Sequence, residues 1–129
     1  MKLLLDTQVL LWWFLRSERF QKKTSDILTN PKNTVYVSAV STWEIVIKTA
    51  LGKLRLPGEP AQYLSDRIAQ AQLAELAITS AHTYGVLALP VHHSDPFDRL
   101  LIAQAQHEGL TIVTSDPAFQ KYDVKTLAA

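Results

Sequence analysis

Five of the 12 acidic residues in this 129-residue chain stand where an apolar run ends or a helix begins. They are Asp6, Glu44, Asp95, Asp98 and Asp116. Asp6 follows Lys2-Leu3-Leu4-Leu5, and Asp116 follows Thr111-Ile112-Val113 with only Thr114-Ser115 between. Glu44 closes Ser41-Thr42-Trp43-Glu44, and Asp95 and Asp98 open Asp95-Pro96-Phe97-Asp98. Carboxylates drawn together repel and raise one another's pKa, so a cluster of them calls for compensation. A divalent cation is the natural one. The donors are hard oxygens, and the chain has neither cysteine nor an HxxxH pattern. That combination suits Mg²⁺ or Mn²⁺ and not Zn²⁺.

Each acid also has a local role available to it. Asp95 before Pro96 is a good N-cap, and Asp116 before Pro117 is another. Ser41-x-x-Glu44 has the form of a capping box, and Asp6 can cap a helix starting at Thr7. Asp98 falls in a first helical turn, where the helix dipole favours a negative charge. These roles explain the acids one at a time. They do not explain why all of them gather at one place.

The elements that must position them alternate between strand and helix. Lys2–Leu5 is a short apolar run suited to a strand buried on both faces. Thr7 to Leu15 is apolar all round and too long for one strand, which makes it a buried helix. A second helix is expected from Glu18 to Leu28, and Asn30-Pro31-Lys32-Asn33 is a turn. Thr34–Ser38 is β-branched and aromatic, a strand. Ser41 opens a helix that Gly52 closes, and Lys53 to Glu59 is a loop. A helix follows from Pro60 through Ala74, a brief strand at Leu76–Ile78, and a helix capped by Thr79 or Ser80 that reaches Leu87. After a loop carrying His92 and His93, a long helix runs from Asp95-Pro96 to Gly109. Thr111–Val113 is a strand, Pro117–Tyr122 a short helix and Val124–Leu127 a last strand. The alternation predicts a three-layer α/β/α fold with a short, mainly parallel central sheet. Ligands of such sheets bind beyond the carboxyl ends of the strands, where Asp6, Glu44 and Asp116 fall.

Residues 1–129 read as a single domain, without repeats or a Gly-, Ser- or Pro-rich linker. The apolar runs Leu3–Leu5 and Val9–Leu15 are well short of the ~20 residues that span a bilayer. Asp6 interrupts the opening apolar stretch too early for a secretory signal, so a cytoplasmic location is expected. The net charge of +1 gives no hint of a nucleic-acid partner. Setting aside Asp6, Glu44, Asp98 and Asp116 leaves 8 acids against 13 Lys and Arg, a balance of +5. Arg16, Arg19, Lys22 and Lys23 form one basic group, and Lys48, Lys53 and Arg55 another. Either group suits backbone phosphates, or equally an ordinary solvated helix face.

In order and spacing these motifs resemble the PIN-domain nucleases, and within them the VapC-type toxins of bacterial toxin–antitoxin pairs. The resemblance runs nearly end to end. It rests on Leu4-Leu5-Asp6-Thr7, on Ser41-Thr42-Trp43-Glu44-Ile45, on Asp95 through Ala105, and on Thr114-Ser115-Asp116 with Phe119 beyond. The resemblance implies that Asp6, Glu44, Asp98 and Asp116 are the acidic quartet of the family. Thr7 matches the hydroxyl residue common beside the first Asp. Asp95 matches an extra acid of one branch, where ligation, capping or both remain open. The implied activity is hydrolysis of RNA phosphodiester bonds by water activated on one or two Mg²⁺ or Mn²⁺ ions. Thr7, Arg99 and Ser115 are candidate substrate contacts; His92 and His93 precede Asp95 in a loop, where they could reach the substrate but more often such histidines face solvent. The implied partners are a small cognate antitoxin and a second copy of the chain. Core packing is the default for the apolar helix Val9–Leu15; the resemblance implies that part of it forms a groove for an antitoxin's helix or a dimer contact.

Other α/β chemistries fit less well. A haloacid-dehalogenase-type phosphatase wants Asp-x-Asp after its first strand, and Asp6-Thr7-Gln8 lacks the second Asp. A signalling receiver wants paired acids after the first strand and an Asp after a middle one, and neither is present. A silent binding module would not be expected to keep all four acids.

Overall fold

Leu3, Leu4 and Leu5 are fully shielded from solvent, which a strand permits only where both faces of its sheet are covered. The computed structural model describes residues 1–129 and shows how the cover is built. Strand β1 (Lys2–Leu5) leads into helix α1 (Thr7–Phe14), α2 (Lys22–Leu28), β2 (Thr34–Ser38) and α3 (Ala39–Ala50). Then come α4 (Pro60–Gln70), β3 (Ala74–Leu76), α5 (Ser80–Leu87), α6 (Pro96–Glu108) and β4 (Thr111–Thr114). A turn of 3-10 helix (Pro117–Lys121) and β5 (Thr126–Ala128) finish the chain. All pairings are parallel and the sheet order is β3-β2-β1-β4-β5.

Alternation along the strands divides the apolar side chains between two cores. Leu3 and Leu5 join Val35, Val37 and Val113 on one face, under Val9, Leu10 and Phe14 of α1 and Leu64 and Ile68 of α4. Leu4 and Ile112 point to the other face, under Leu101, Ile102 and Ala105 of α6, with Phe119 and Tyr122 closing one end. The chain builds outward from β1 to β3, then returns to the other side of β1 with β4. The strand order therefore reverses between β1 and β4, and their carboxyl ends flank the crevice where such sheets take ligands.

Several boundaries differ from the expected ones, each for a local reason. Arg16 takes a left-handed φ of 54° after α1. A turn follows in which the Phe20 amide bonds the Ser17 carbonyl, so α2 starts at Lys22 and not at Glu18. Helix α3 starts two residues before Ser41, because Ser38, the last residue of β2, accepts the Val40 amide at 3.0 Å and caps the helix. Gln72 adopts φ 55°, and the Leu73 amide closes onto Ile68 O. That stops α4 at Gln70 and brings β3 forward to Ala74–Leu76, where it pairs with Tyr36–Ser38. Strand β5 lies at Thr126–Ala128, and Val124 packs on the second core. Gly109, at φ 69°, ends α6 in the left-handed conformation that glycine adopts without strain. No helix is long and apolar enough to cross a membrane.

Candidate acidic metal centre

The carboxyl ends of β1 and β4 enter the site as one hydrogen-bonded unit. The Asp6 amide extends the ladder to Val113 O at 3.0 Å. Asp6 has the extended backbone of a cap residue, but its carboxylate does not cap α1. It accepts instead from the Thr114 hydroxyl at 2.8 Å, and the same hydroxyl accepts the Asp116 amide at 3.0 Å. One threonine thus fixes both strand-end acids. Asp116 also accepts the Ala118 amide through Oδ1 at 2.9 Å, so the capping role foreseen for it is real. Its second oxygen remains for a ligand.

Helix α3 delivers Glu44 from its second turn, not its first. Ser41 is no cap: it is buried one turn earlier and accepts a 2.8 Å bond from the Thr7 hydroxyl, which pins the start of α1 to α3. Glu44 is only 6% exposed, and its Oε2 takes the Lys48 ammonium at 2.6 Å. From α6, Asp95 caps through Oδ1, which accepts the amides of Phe97 at 2.9 Å and Asp98 at 3.1 Å. Its other oxygen is free of that duty, so capping and ligation are compatible. If the cap is its structural role, Asp95→Ala should cost about 1 kcal/mol in chemical denaturation, while Asp95→Asn should retain it.

Asp6, Glu44, Asp95, Asp98 and Asp116 line one open cleft of about 230 Å³, together with Thr7, Gln8, Leu11, Lys48 and Ser115. The crowding shows in the proton equilibria. Burial, and then the negative field of Asp95, Asp6, Glu44 and Asp116, pushes the Asp98 carboxyl up to about 8. Burial raises Asp6 to about 6, helped by Asp116 and Glu44 and opposed by the Thr114 hydroxyl. Oxygen donors in excess of local cations fit a hard divalent ion of the Mg²⁺ or Mn²⁺ kind.

Not every expected contact falls here. Arg99 turns away from the cleft, bonding Pro90 O at 2.9 Å and approaching Tyr122 Oη at 3.4 Å, so it ties down the loop after α5. His92 also stays at that loop, its ring edge-on to Tyr122. His93 comes closer. The Tyr122 hydroxyl sits 2.7 Å from Nδ1 and faces three N–H groups, the His92 and His93 amides and Arg99. Its one proton therefore goes to Nδ1, and the ring proton stays on Nε2, 3.5 Å from Asp98 Oδ2. That is an electrostatic contact longer than a hydrogen bond. Sequence reasoning missed Thr114, Tyr122 and the position of Lys48. Only Lys48 carried a signal, its i,i+4 spacing from Glu44.

The apolar helix Val9–Leu15, for which core packing is the default, is mostly core. Val9, Leu10, Leu11 and Phe14 are buried and only Leu15 at its end is exposed; most exposed apolar side chains lie elsewhere, among them Trp43, Val46, Leu51, Tyr84, Leu87 and Val91. A second group of potential ligands, His82, His107 and Glu108, lies at the far end of α6. There His82 Nδ1 accepts the Thr79 amide at 3.0 Å, which leaves the ring proton on Nε2, facing Glu108 at 3.2 Å. Nδ1 is thus committed to the capping box of α5 and Nε2 to joining α5 to α6.

Among curated proteins the chain is similar to Ribonuclease VapC16 of Mycobacterium tuberculosis (strain ATCC 25618 / H37Rv), 38% identical over 61 residues. The matched stretch is 47% of this chain and only 43% of that protein. Among solved structures it is similar to VapBC2 from Rickettsia felis bound to a DNA fragment from their promoter. There the TM-score is 0.77 at 15% identity, over 100% of this chain and 99% of that one. DNA-bound VapBC from Salmonella typhimurium gives a TM-score of 0.71 at 14% identity, over 99% and 98% of the two chains. At such identities the two structures speak for the fold. The model of the PIN domain family matches residues 3–125, a span that includes every element bearing one of the five acids. The chain belongs to the PIN-domain family.

Proposed function

We propose that this protein is a divalent-metal-dependent endoribonuclease and the toxin of a toxin–antitoxin pair. The observation that carries the reading is the convergence of Asp6, Glu44, Asp98 and Asp116 in one cleft at the point where the strand order reverses. The partial likeness to a protein named a ribonuclease supports RNA as the substrate class. The likeness to VapBC complexes supports a small antitoxin as partner. A second copy of the chain and a cytoplasmic location complete the reading.

Asp6, Glu44, Asp98 and Asp116 would hold one or two Mg²⁺ or Mn²⁺ ions, with the second oxygen of Asp95 available. Such ions lower the pKa of bound water and neutralise charge on a phosphodiester. The residues of the chain supply the rest. The Thr114 hydroxyl and the Ala118 amide hold Asp6 and Asp116 against movement, and the buried setting of Asp6 and Glu44 keeps bulk water away from those donors. Exposed Ser115 puts a hydroxyl on the cleft wall, in reach of the sugar-phosphate backbone, while the Thr7 hydroxyl is spent on Ser41 and holds α1 against α3. His93 keeps its Nε2 proton toward Asp98 and restrains that carboxylate.

Incubation of the purified protein with structured RNAs tests the reading. Cleavage is expected with Mg²⁺ or Mn²⁺ and none with EDTA. Cleavage that survives EDTA would reject the metal mechanism; no cleavage of any RNA would favour a binding module that kept the fold.

A further inference from the structure

The acid cleft contains one cation of its own. Lys48 is the sole Lys or Arg among the cleft-lining side chains, and it reaches Glu44 Oε2 from one turn further along α3. The pairing is lopsided: the Lys48 side chain is 45% exposed, whereas that of Glu44 is 8% exposed. The carboxylate is therefore fixed and the ammonium is the partner that can leave. Glu preceding Lys by four residues is also the favourable order on a helix. The hydrogen bond to Glu44, with the fields of Asp95 and Asp98, holds the ammonium above the usual lysine range, so it keeps its charge.

We infer that Lys48 has two successive partners: it is the resident counter-ion of Glu44 before metal enters, and the phosphate-binding cation of the cleft afterwards. The inference rests on the ribonuclease reading for its second half only. The physical argument has three steps. First, a divalent ion and an ammonium held against one carboxylate repel each other, and that repulsion works against metal entry. Second, the ammonium ends a flexible four-carbon stem, so it can withdraw from Glu44 without disturbing α3. Third, the cleft wall is where a phosphodiester would lie, and a compact point charge there matches a non-bridging phosphate oxygen. Lys48 keeps its proton throughout, and no bond to it forms or breaks. Other basic residues serve this purpose poorly. Arg99 is committed to the loop carbonyls, and Lys53 and Arg55 are not among the cleft-lining residues.

The test compares wild type with Lys48→Gln, which removes the charge, and Lys48→Arg, which keeps it. Two quantities are read: the Mn²⁺ dissociation constant of the protein alone by calorimetric titration, and kcat on a cleavable RNA at saturating Mn²⁺. Thermal unfolding checks that each variant is folded. Lys48→Gln should bind Mn²⁺ roughly fivefold or more tightly, because a competing charge has gone. Its kcat should nevertheless fall by about 100- to 1,000-fold, in the range of losing one donor to developing charge. Lys48→Arg should stay within a few fold of wild type on both. Unchanged or weaker Mn²⁺ binding in Lys48→Gln would overturn the counter-ion half. Tighter Mn²⁺ binding with unchanged kcat would overturn the phosphate half. A wild-type protein that cuts no RNA would overturn the ribonuclease reading and the phosphate half with it. The Mn²⁺ titration would still decide the counter-ion half.

Discussion

Asp98→Asn should yield a protein more stable than wild type without metal, and nearly dead with it. In the metal-free cleft the Asp98 carboxyl is pushed up to about 8 by burial and by its acidic neighbours. At neutral pH the folded state thus holds a proton that the unfolded chain gives up freely. Asparagine has no such penalty. One pKa unit corresponds to about 1.4 kcal/mol, so the gain at pH 7 is expected on the order of 2–4 kcal/mol, read by chemical denaturation in EDTA. On the proposed function the same change removes a metal donor. Losing only an outer partner of a metal ligand typically costs 10- to 100-fold, so losing the ligand should lower RNA cleavage by more than about 100-fold. It should also abolish most of the thermal stabilisation by Mn²⁺. A variant less stable than wild type in EDTA, with its Mn²⁺ response intact, would show that Asp98 is structural. Stability and function pull in opposite directions at this residue, as expected where a site is held together against its own repulsion.

The metal-free protein should lose stability as pH rises from about 4 to about 8, and Mg²⁺ or Mn²⁺ should reverse the trend. The sign follows from the direction of the shifts. Asp6 and Asp98 are raised from 3.8 to about 6 and about 8. Between the unfolded and folded values the folded state binds more protons, so stability decreases with pH across that window. Below pH 4 both states are protonated and the two residues contribute no slope; above 8 both are ionised and the loss is complete. Metal binding requires the ionised forms, so it releases protons and strengthens as pH climbs through 6 and 8. Thermal unfolding from pH 5 to 9 with EDTA or Mn²⁺ reads both trends. The midpoint gain from Mn²⁺ should be larger at pH 8.5 than at 5.5, and an Asp6→Asn, Asp98→Asn double variant should flatten the metal-free profile. A metal-free midpoint that climbs between pH 5 and 8 would reject the account.

What could be read from residues alone was the placement of chemistry on the frame. Lys2–Leu5 and Thr111–Val113 declare themselves as buried strands, so Asp6 and Asp116 follow at one edge without further information. Helix α6 is equally plain, with Asp95-Pro96 at its start and Gly109 at its end. The start of α3 was hidden because Ser38 serves as both strand end and cap, and Ser41-x-x-Glu44 mimics a capping box that the fold does not use. The α4 to β3 junction was hidden because Gln72 takes a left-handed turn that glycine or asparagine would have announced. Arg99 sits beside Asp98 in sequence, but adjacent helical positions diverge by about 100°, and its guanidinium leaves for the loop carbonyls. Thr114 and Tyr122 act across 108 and 29 residues of chain, distances that no local pattern encodes.

The Thr114 hydroxyl has a consequence for which ions the cleft accepts. By holding the Asp6 carboxylate and the Asp116 amide at once, it works as a gauge block between the two strand ends. The Asp6 carboxylate and the Asp116 backbone are thereby tied to the spacing of the two strand ends. Calcium tolerates six to eight ligands at varied distances, whereas magnesium demands a near-ideal octahedron at about 2.1 Å. A rigid gauge favours the stricter ion, so discrimination by size would reside in a side chain that never touches the metal.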